Sequence, residues 1–212
     1  FTSLRRDPFL PPVPESYQRL RDGDVLRIGE RDWRVVIGEG HSPEHVCLYH
    51  SEGTEHLLIG GDQLLPRITS NVLVTPVEPE ADPLKLWLRS LDRLDTLAED
   101  TLVLPSHQSV FQGLHARVQE LHAHHQQQFV LLRTALHERG QATAWELMQV
   151  QFPKRRHPVD DLMAIGETLA HLAWLRNQGQ VQRVLDADGV YRFHLTITPS
   201  ADVEALSETY HA

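Results

Sequence analysis

Between Asp24 and Asp62 the chain alternates short apolar runs with polar, turn-forming stretches. The runs are VLRI, WRVVI, HVCLYH and HLLIGGD, separated by RD, GEGHSPE and SEGTE. This spacing predicts four strands joined by tight connections. Within VVI and LLI the polar–apolar alternation is lost, the pattern of strands covered on both faces, as in a layered α/β domain. Asp82-Pro83 then sets up a helix start, with Asp as N-cap and Pro in the first helical position. Leu84, Leu88, Leu91 and Leu94 repeat on one face of that helix, with Trp87 beside them. TLVLPSH follows as a further buried strand ending at Pro105.

Past Gly113 the period changes from two to that of a helix. Val118, Leu121, His125, Phe129, Leu132 and Leu136 recur at helical spacing until Gly140 stops the run. Thr143 and Glu146 form a capping box for the short helix AWELMQVQF. A third helix is expected from about Val159, with Leu162, Ile165, Leu169, Leu172 and Leu175 on one face, ending at Gly179. VQRVL, a turn at DADG, and VYRFHL complete a hairpin. Three helices followed by a two-stranded hairpin is the order of a winged helix. The expected organisation is a lead-in over residues 1–22 with a helical turn near ESYQRL, an α/β domain over 23–113, a small winged-helix-like α+β domain over 114–196, and a tail over 197–212.

Composition narrows the functional classes. With 212 residues, 41% hydrophobic and 23% charged, the chain is globular in type. It has no apolar run of bilayer length. A net charge of -9 argues against a partner bound mainly through phosphates. Cys47 is the single cysteine, so no disulfide framework exists and a reducing cytoplasm is the expected setting. The start, FTSLRRDPFLPP, has no Met and no targeting character, and reads as a cut end.

Histidine is the outlier, at 14 copies. Three candidate groups share one structural address. His41 follows the strand WRVVI, Asp62 closes HLLIGG, and His107 closes TLVLP. Each sits past the C-terminal end of an apolar strand, where binding crevices of open α/β sheets form. Two imidazoles and a carboxylate suit zinc, iron or manganese. Singly each has an ordinary structural explanation: a hydrogen-bonded turn histidine, a capping aspartate, a helix-start residue. The cluster HAHH at His122–His125 lies within a helix and reads as a surface or core-edge group. His137, His157, His171 and His194 read as isolated structural or solvated residues.

Taken together, GHSPEHVCLY, LLIGGD and LVLPSH resemble, in order and spacing, the second half of the metallo-β-lactamase-fold hydrolases, and in particular the glyoxalase II-like branch. The stretch PRITSNVLVTPVEPEADPLKLWLRSLDRL is similar to a bacterial group of that branch, and the likeness covers most of residues 23–195. The resemblance implies the C-terminal half of an αββα sandwich. It also implies two divalent metal ions, zinc first and iron or manganese as alternatives. His41 matches a metal-binding His, Asp62 the carboxylate that bridges the two ions, and His107 the last His, on the second ion. His45 matches a loop His without an assigned role.

The family's first motif, His-x-His-x-Asp-His, is absent, so the dinuclear site is expected to be complete only with an N-terminal part that this sequence lacks. An apolar sheet face would then need cover from that part or from another chain. The implied activity is hydrolysis of a small-molecule thioester, lactone or other ester by metal-bound hydroxide. The alternatives are a nuclease using the same centre and a non-catalytic binding or dimerisation module. Residues 114–195 hold nine Arg and Lys against eight Asp and Glu, and the helix that would read a groove carries Asp160, Asp161 and Glu167 on its outer side. Nucleic-acid binding is therefore disfavoured. Packing on the hydrolase, shaping its entrance or mediating a homodimer are the roles expected of this region.

Overall fold

A computed structural model describes residues 16–154 and 157–196. The lead-in up to residue 15 and the tail from 197 lie outside them. Residues 16–20 contain no helix, contrary to the turn expected at ESYQRL. The four predicted strands form as β1 (Val25–Ile28), β2 (Arg31–Gly38), β3 (His45–Glu52) and β4 (Glu55–Gly61). Helix α1 (Pro83–Leu94) and strand β5 (Leu102–Pro105) follow. The sheet runs in the order β1-β2-β3-β4-β5. All pairings are antiparallel except β4 with β5, which is parallel.

That topology positions the chemistry. With β3 antiparallel to both neighbours, β2 and β4 point the same way, and β5 joins them. The C-terminal ends of β2, β4 and β5 therefore open on one edge of the sheet, and the N-terminal end of β3 lies there too.

Register places Val36, Cys47, Tyr49, Leu58 and Val103 on one face. All five belong to the core cluster that also holds Trp87, Leu84 and Leu91 of α1. The other face is covered only in part: Val35 is buried, but Val46 is 37% and Ile59 38% exposed. The prediction of strands enclosed on both sides thus holds for one face.

Helix α1 starts as predicted, with the Asp82 side chain accepting from Lys85 N–H at 3.2 Å and Pro83 in the first turn. Its stripe of Leu84, Trp87, Leu88, Leu91 and Leu94 is buried. The C-terminal region comprises α2 (Leu114–Arg139), β6 (Ala142–Thr143), α3 (Ala144–Gln151), α4 (Pro158–Asn177), β7 (Val181–Leu185) and β8 (Tyr191–Leu195). Its strands form a second sheet in the order β6-β8-β7. One buried cluster runs without a break from the first sheet through α1 into α2, α3 and α4. Among the described residues no helix is long and apolar enough to cross a membrane.

Candidate metal centre

The loop after β2 leaves the sheet at Gly38 and turns at Gly40, where φ is +95°. A Cβ at Gly40 would overlap both Pro83 O and Trp87 Cβ, so only glycine lets the loop seat against the start of α1. Glu39 N–H donates to Ser90 Oγ at 2.9 Å, fixing the loop to the same helix. Next comes His41, three-quarters buried, whose Nδ1–H donates to the Asn71 carbonyl at 2.8 Å. A carbonyl only accepts, so this bond fixes the tautomer and leaves Nε2 as a lone-pair donor. That nitrogen faces Asp62 Oδ2 at 3.5 Å.

Asp62 follows a register shift between Ile59 and Gly61 at the end of β4. Its second oxygen, Oδ1, faces His107 Nε2 at 3.2 Å and accepts the Ser106 hydroxyl hydrogen bond. Ser106 and His107 directly follow β5, and Ser106 N–H donates to Gly61 O at 3.1 Å, closing the two strand ends together. The Ser106 hydrogen bond, followed by His107, His41 and His45, holds the Asp62 carboxyl below the usual carboxylate range against the opposing effect of burial. His107 is 64% exposed, so the group opens to solvent on that side.

His45 takes a positioning role. Its Nε2 accepts the Asp62 backbone N–H at 3.2 Å, and its Nδ1 points to Cys47 Sγ at 3.7 Å. Burial, helped by His41, lowers its pKa and keeps the ring neutral. The Ser70 hydroxyl donates to the Asp62 carbonyl. His50 lies further along β3; it contacts Asp32 O at 2.9 Å and Glu55 at 3.4 Å and is no part of this group.

The arrangement fits divalent ions in kind and spacing. Two donors on one tetrahedral zinc, with bonds of roughly 2.0–2.2 Å, stand about 3.3–3.5 Å apart. An unprotonated imidazole nitrogen facing a carboxylate at that distance repels it unless a proton or a cation lies between them. Yet each Asp62 oxygen meets a single imidazole, and among the described residues no group of three or more His, Cys, Asp or Glu could hold an ion. Each Asp62 oxygen thus forms a two-atom pair with one imidazole nitrogen.

His41, Asp62 and His107, singled out in the sequence, are the groups brought together. Ser106, Ser70 and the Asn71 carbonyl were not singled out. Ser106 sits inside the quoted PSH motif, and a hydroxyl beside a candidate ligand was the available signal. The Asn71 contribution is a backbone atom and leaves no trace in sequence. The helical His122–His125 cluster divides: His122 pairs with Asp92 at 3.0 Å, while His125 is buried. His171 is not isolated, since His125 Nδ1 lies 3.0 Å from its Nε2. Glu167, expected on the outer side of α4, is partly enclosed.

Two family models match the chain. One, described as the metallo-beta-lactamase superfamily, covers residues 2–107; the other, described as the metallo-beta-lactamase-like C-terminal domain, covers 131–196. A beta-lactamase domain protein from Burkholderia ambifaria is 45% identical with a TM-score of 0.82, over 88% of this chain and 54% of its own. A metallo-beta-lactamase family protein from Thermus thermophilus is 36% identical with a TM-score of 0.73, over 86% of this chain and 55% of its own. A hydroxyacylglutathione hydrolase from Methylobacterium nodulans is 33% identical over 98 residues, 46% of this chain and 35% of its own. The chain spans about half the length of the two solved relatives. With a family model matching half its length and two homologous folds superposing over most of it, the chain belongs to the metallo-beta-lactamase superfamily.

Proposed function

We propose that this chain supplies half of the metal-donor set of a hydrolase that cleaves a small-molecule thioester, lactone or other ester. The remaining donors come from outside the described residues. One observation carries the reading: the two oxygens of Asp62 face two separate imidazole nitrogens, at 3.5 and 3.2 Å. His41 and His107, one on each side of Asp62, would hold two divalent ions, zinc or alternatively iron or manganese. Bound there, such ions supply Lewis acidity and bring a water pKa toward neutrality.

The chain's own residues prepare that site. The Asn71 carbonyl keeps the His41 Nε2 lone pair free, Ser106 keeps Asp62 ionised, and His45 pins the Asp62 backbone. The relative described as a hydroxyacylglutathione hydrolase supports a thioester as the first substrate to try. The order α2-β6-α3-α4-β7-β8, with its sheet β6-β8-β7, supports a winged-helix-like C-terminal region. That region lies against residues 73–74 through Gly166, and we assign it to shaping the site's surroundings. The net charge of -9 weighs against a phosphodiester in a polyanion.

A binding or dimerisation module is the second reading, favoured by the lack of a third donor on each side among the described residues. Metal analysis of the complete protein with a thioester and lactone panel separates the two. The hydrolase reading expects about two transition-metal ions per chain and turnover. It also expects Ser106→Ala to weaken metal affinity about 10–100-fold, as loss of a ligand-orienting hydrogen bond does. A protein without bound metal and without turnover leaves the module.

A further inference from the structure

Two cavities lie against α4, and Asp62 lines neither of them. One, of about 570 Å³, is lined by Phe152, Met163, Ala164 and Glu167, with Lys154 and Asp160 also on its wall. A second, of about 340 Å³, is lined by Arg67, Ile68, Arg117, Leu121 and His124. Phe152 and Glu167 belong to both linings. Met163 ties the first cavity to the metal-donor group, because Asn71 Nδ2 donates to its Sδ at 2.8 Å while Asn71 O holds His41.

Glu167 is the unexplained group. Burial raises its carboxyl to about 7, and among the described residues no charged neighbour contributes to the shift. Among the described residues, the cations nearby are otherwise engaged or neutral. Arg117 donates to Leu65 O, Ile68 O and Glu120. Burial, with Arg117 beside it, lowers the pKa of His124 and keeps that ring uncharged. Asp160 accepts from His157 N–H. Lys154 and Arg67 are exposed and exert no resolved effect on Glu167. A partly enclosed carboxylate with no counter-ion among the described residues is costly, and such groups concentrate where a ligand supplies the missing partner.

We propose that this cleft binds a ligand bearing a primary alkylammonium group, with Glu167 as its counter-ion and Phe152, Met163 and Ala164 as the wall for its alkyl chain. The site stands independently of the hydrolase reading, since no metal donor is needed to fill it.

The chain has two methionines: Met163, 40% exposed, on the cleft wall, and Met148, fully buried in the core. Methyl-¹³C methionine NMR of the complete protein at pH 8, where Glu167 is ionised, therefore reads the cleft and the fold separately. The Met163 signal is assigned by its loss in Met163→Leu. Titration with n-hexylamine is expected to shift Met163 saturably and leave Met148 unmoved. n-Hexanol and hexanoate should bind at least about tenfold more weakly, as loss of a charge-assisted hydrogen bond predicts. Glu167→Gln should weaken the amine at least about tenfold without changing n-hexanol. An unmoved Met163, equal responses to amine and alcohol, or full amine binding by Glu167→Gln overturns the proposal.

Discussion

At Gly61 the backbone turns to φ +51°, and a Cβ there would lie 2.5 Å from His45 Cε1. The glycine before Asp62 is thus required twice, by its dihedral and by the ring that holds the Asp62 amide. Gly61→Ala is expected to lower unfolding free energy by about 2 kcal/mol or more, read as a shift in urea midpoint. It should also displace Asp62. An unchanged midpoint would mean that His45 swings away at no cost, and that the ring does not pin the strand end. The common address of His41, Asp62 and His107 was legible in the sequence because each lies just past an apolar run. The tautomer of His41 was not, since it depends on a carbonyl 30 residues away.

Helices α1 and α2 were legible almost residue by residue, because their buried stripes are apolar but for His125 and Ser90. In α2 all six predicted positions, Val118 to Leu136, are buried. In helix α4 the predicted stripe holds in its second half, where Leu172 and Leu175 are fully buried and Leu169 packs on the core, but not at its start. Leu162, placed on its inner stripe, is 66% exposed, whereas Thr168 and His171 are fully buried. Both polar side chains bond back to their own helix, Thr168 Oγ1 to Ala164 O and His171 Nδ1–H to Glu167 O, each at 2.8 Å. Satisfied in this way, they can occupy core positions that a count of apolar residues assigns elsewhere.

The capping box of α3 formed as predicted, with Glu146 N–H donating to Thr143 Oγ1 and Thr143 N–H to Glu146. Strand β6, two residues long, was missed because it exists only through pairing with β8. Thr143 serves both elements. Thr143→Ala is expected to cost about 1 kcal/mol in chemical denaturation; a cost near zero would show that β8 alone holds this corner.

Across the whole molecule, the buried pair His125–His171 joins α2 to α4 under Trp87, whose ring meets His125 edge-on at a centroid distance of 5.2 Å. Burial pushes His125 down to about 2 and His171 to about 4. Both are therefore neutral when folded, yet take up protons at ordinary histidine values when unfolded. Their stabilising contribution is fully present above about pH 6.5 and is lost as pH falls from there, toward 4 for His171 and toward 2 for His125. Glu167, raised to about 7, has the opposite sign: its contribution is present below the unfolded value and lost as pH rises through 7. It offsets roughly one of the two histidines. The net expectation is a loss on the order of 3 kcal/mol in unfolding free energy between pH 6.5 and 4.5. Glu167→Gln removes the offset and should steepen that loss. A flat profile would mean that the histidine pair is hydrated.

Local chemistry alone determined where the strands and most helices lie, because apolar period, proline and capping residues act over a few neighbours. It also marked His41, Asp62 and His107 by their place at strand ends. Only the tertiary structure decided that these ends share one sheet edge, because strand direction is set by pairing partners that lie far apart in the chain. The same holds for the neutral histidine pair and for Glu167, which has no counter-ion among the described residues. Burial, which fixes the charge of all three, is a property of the packed molecule and of no single segment.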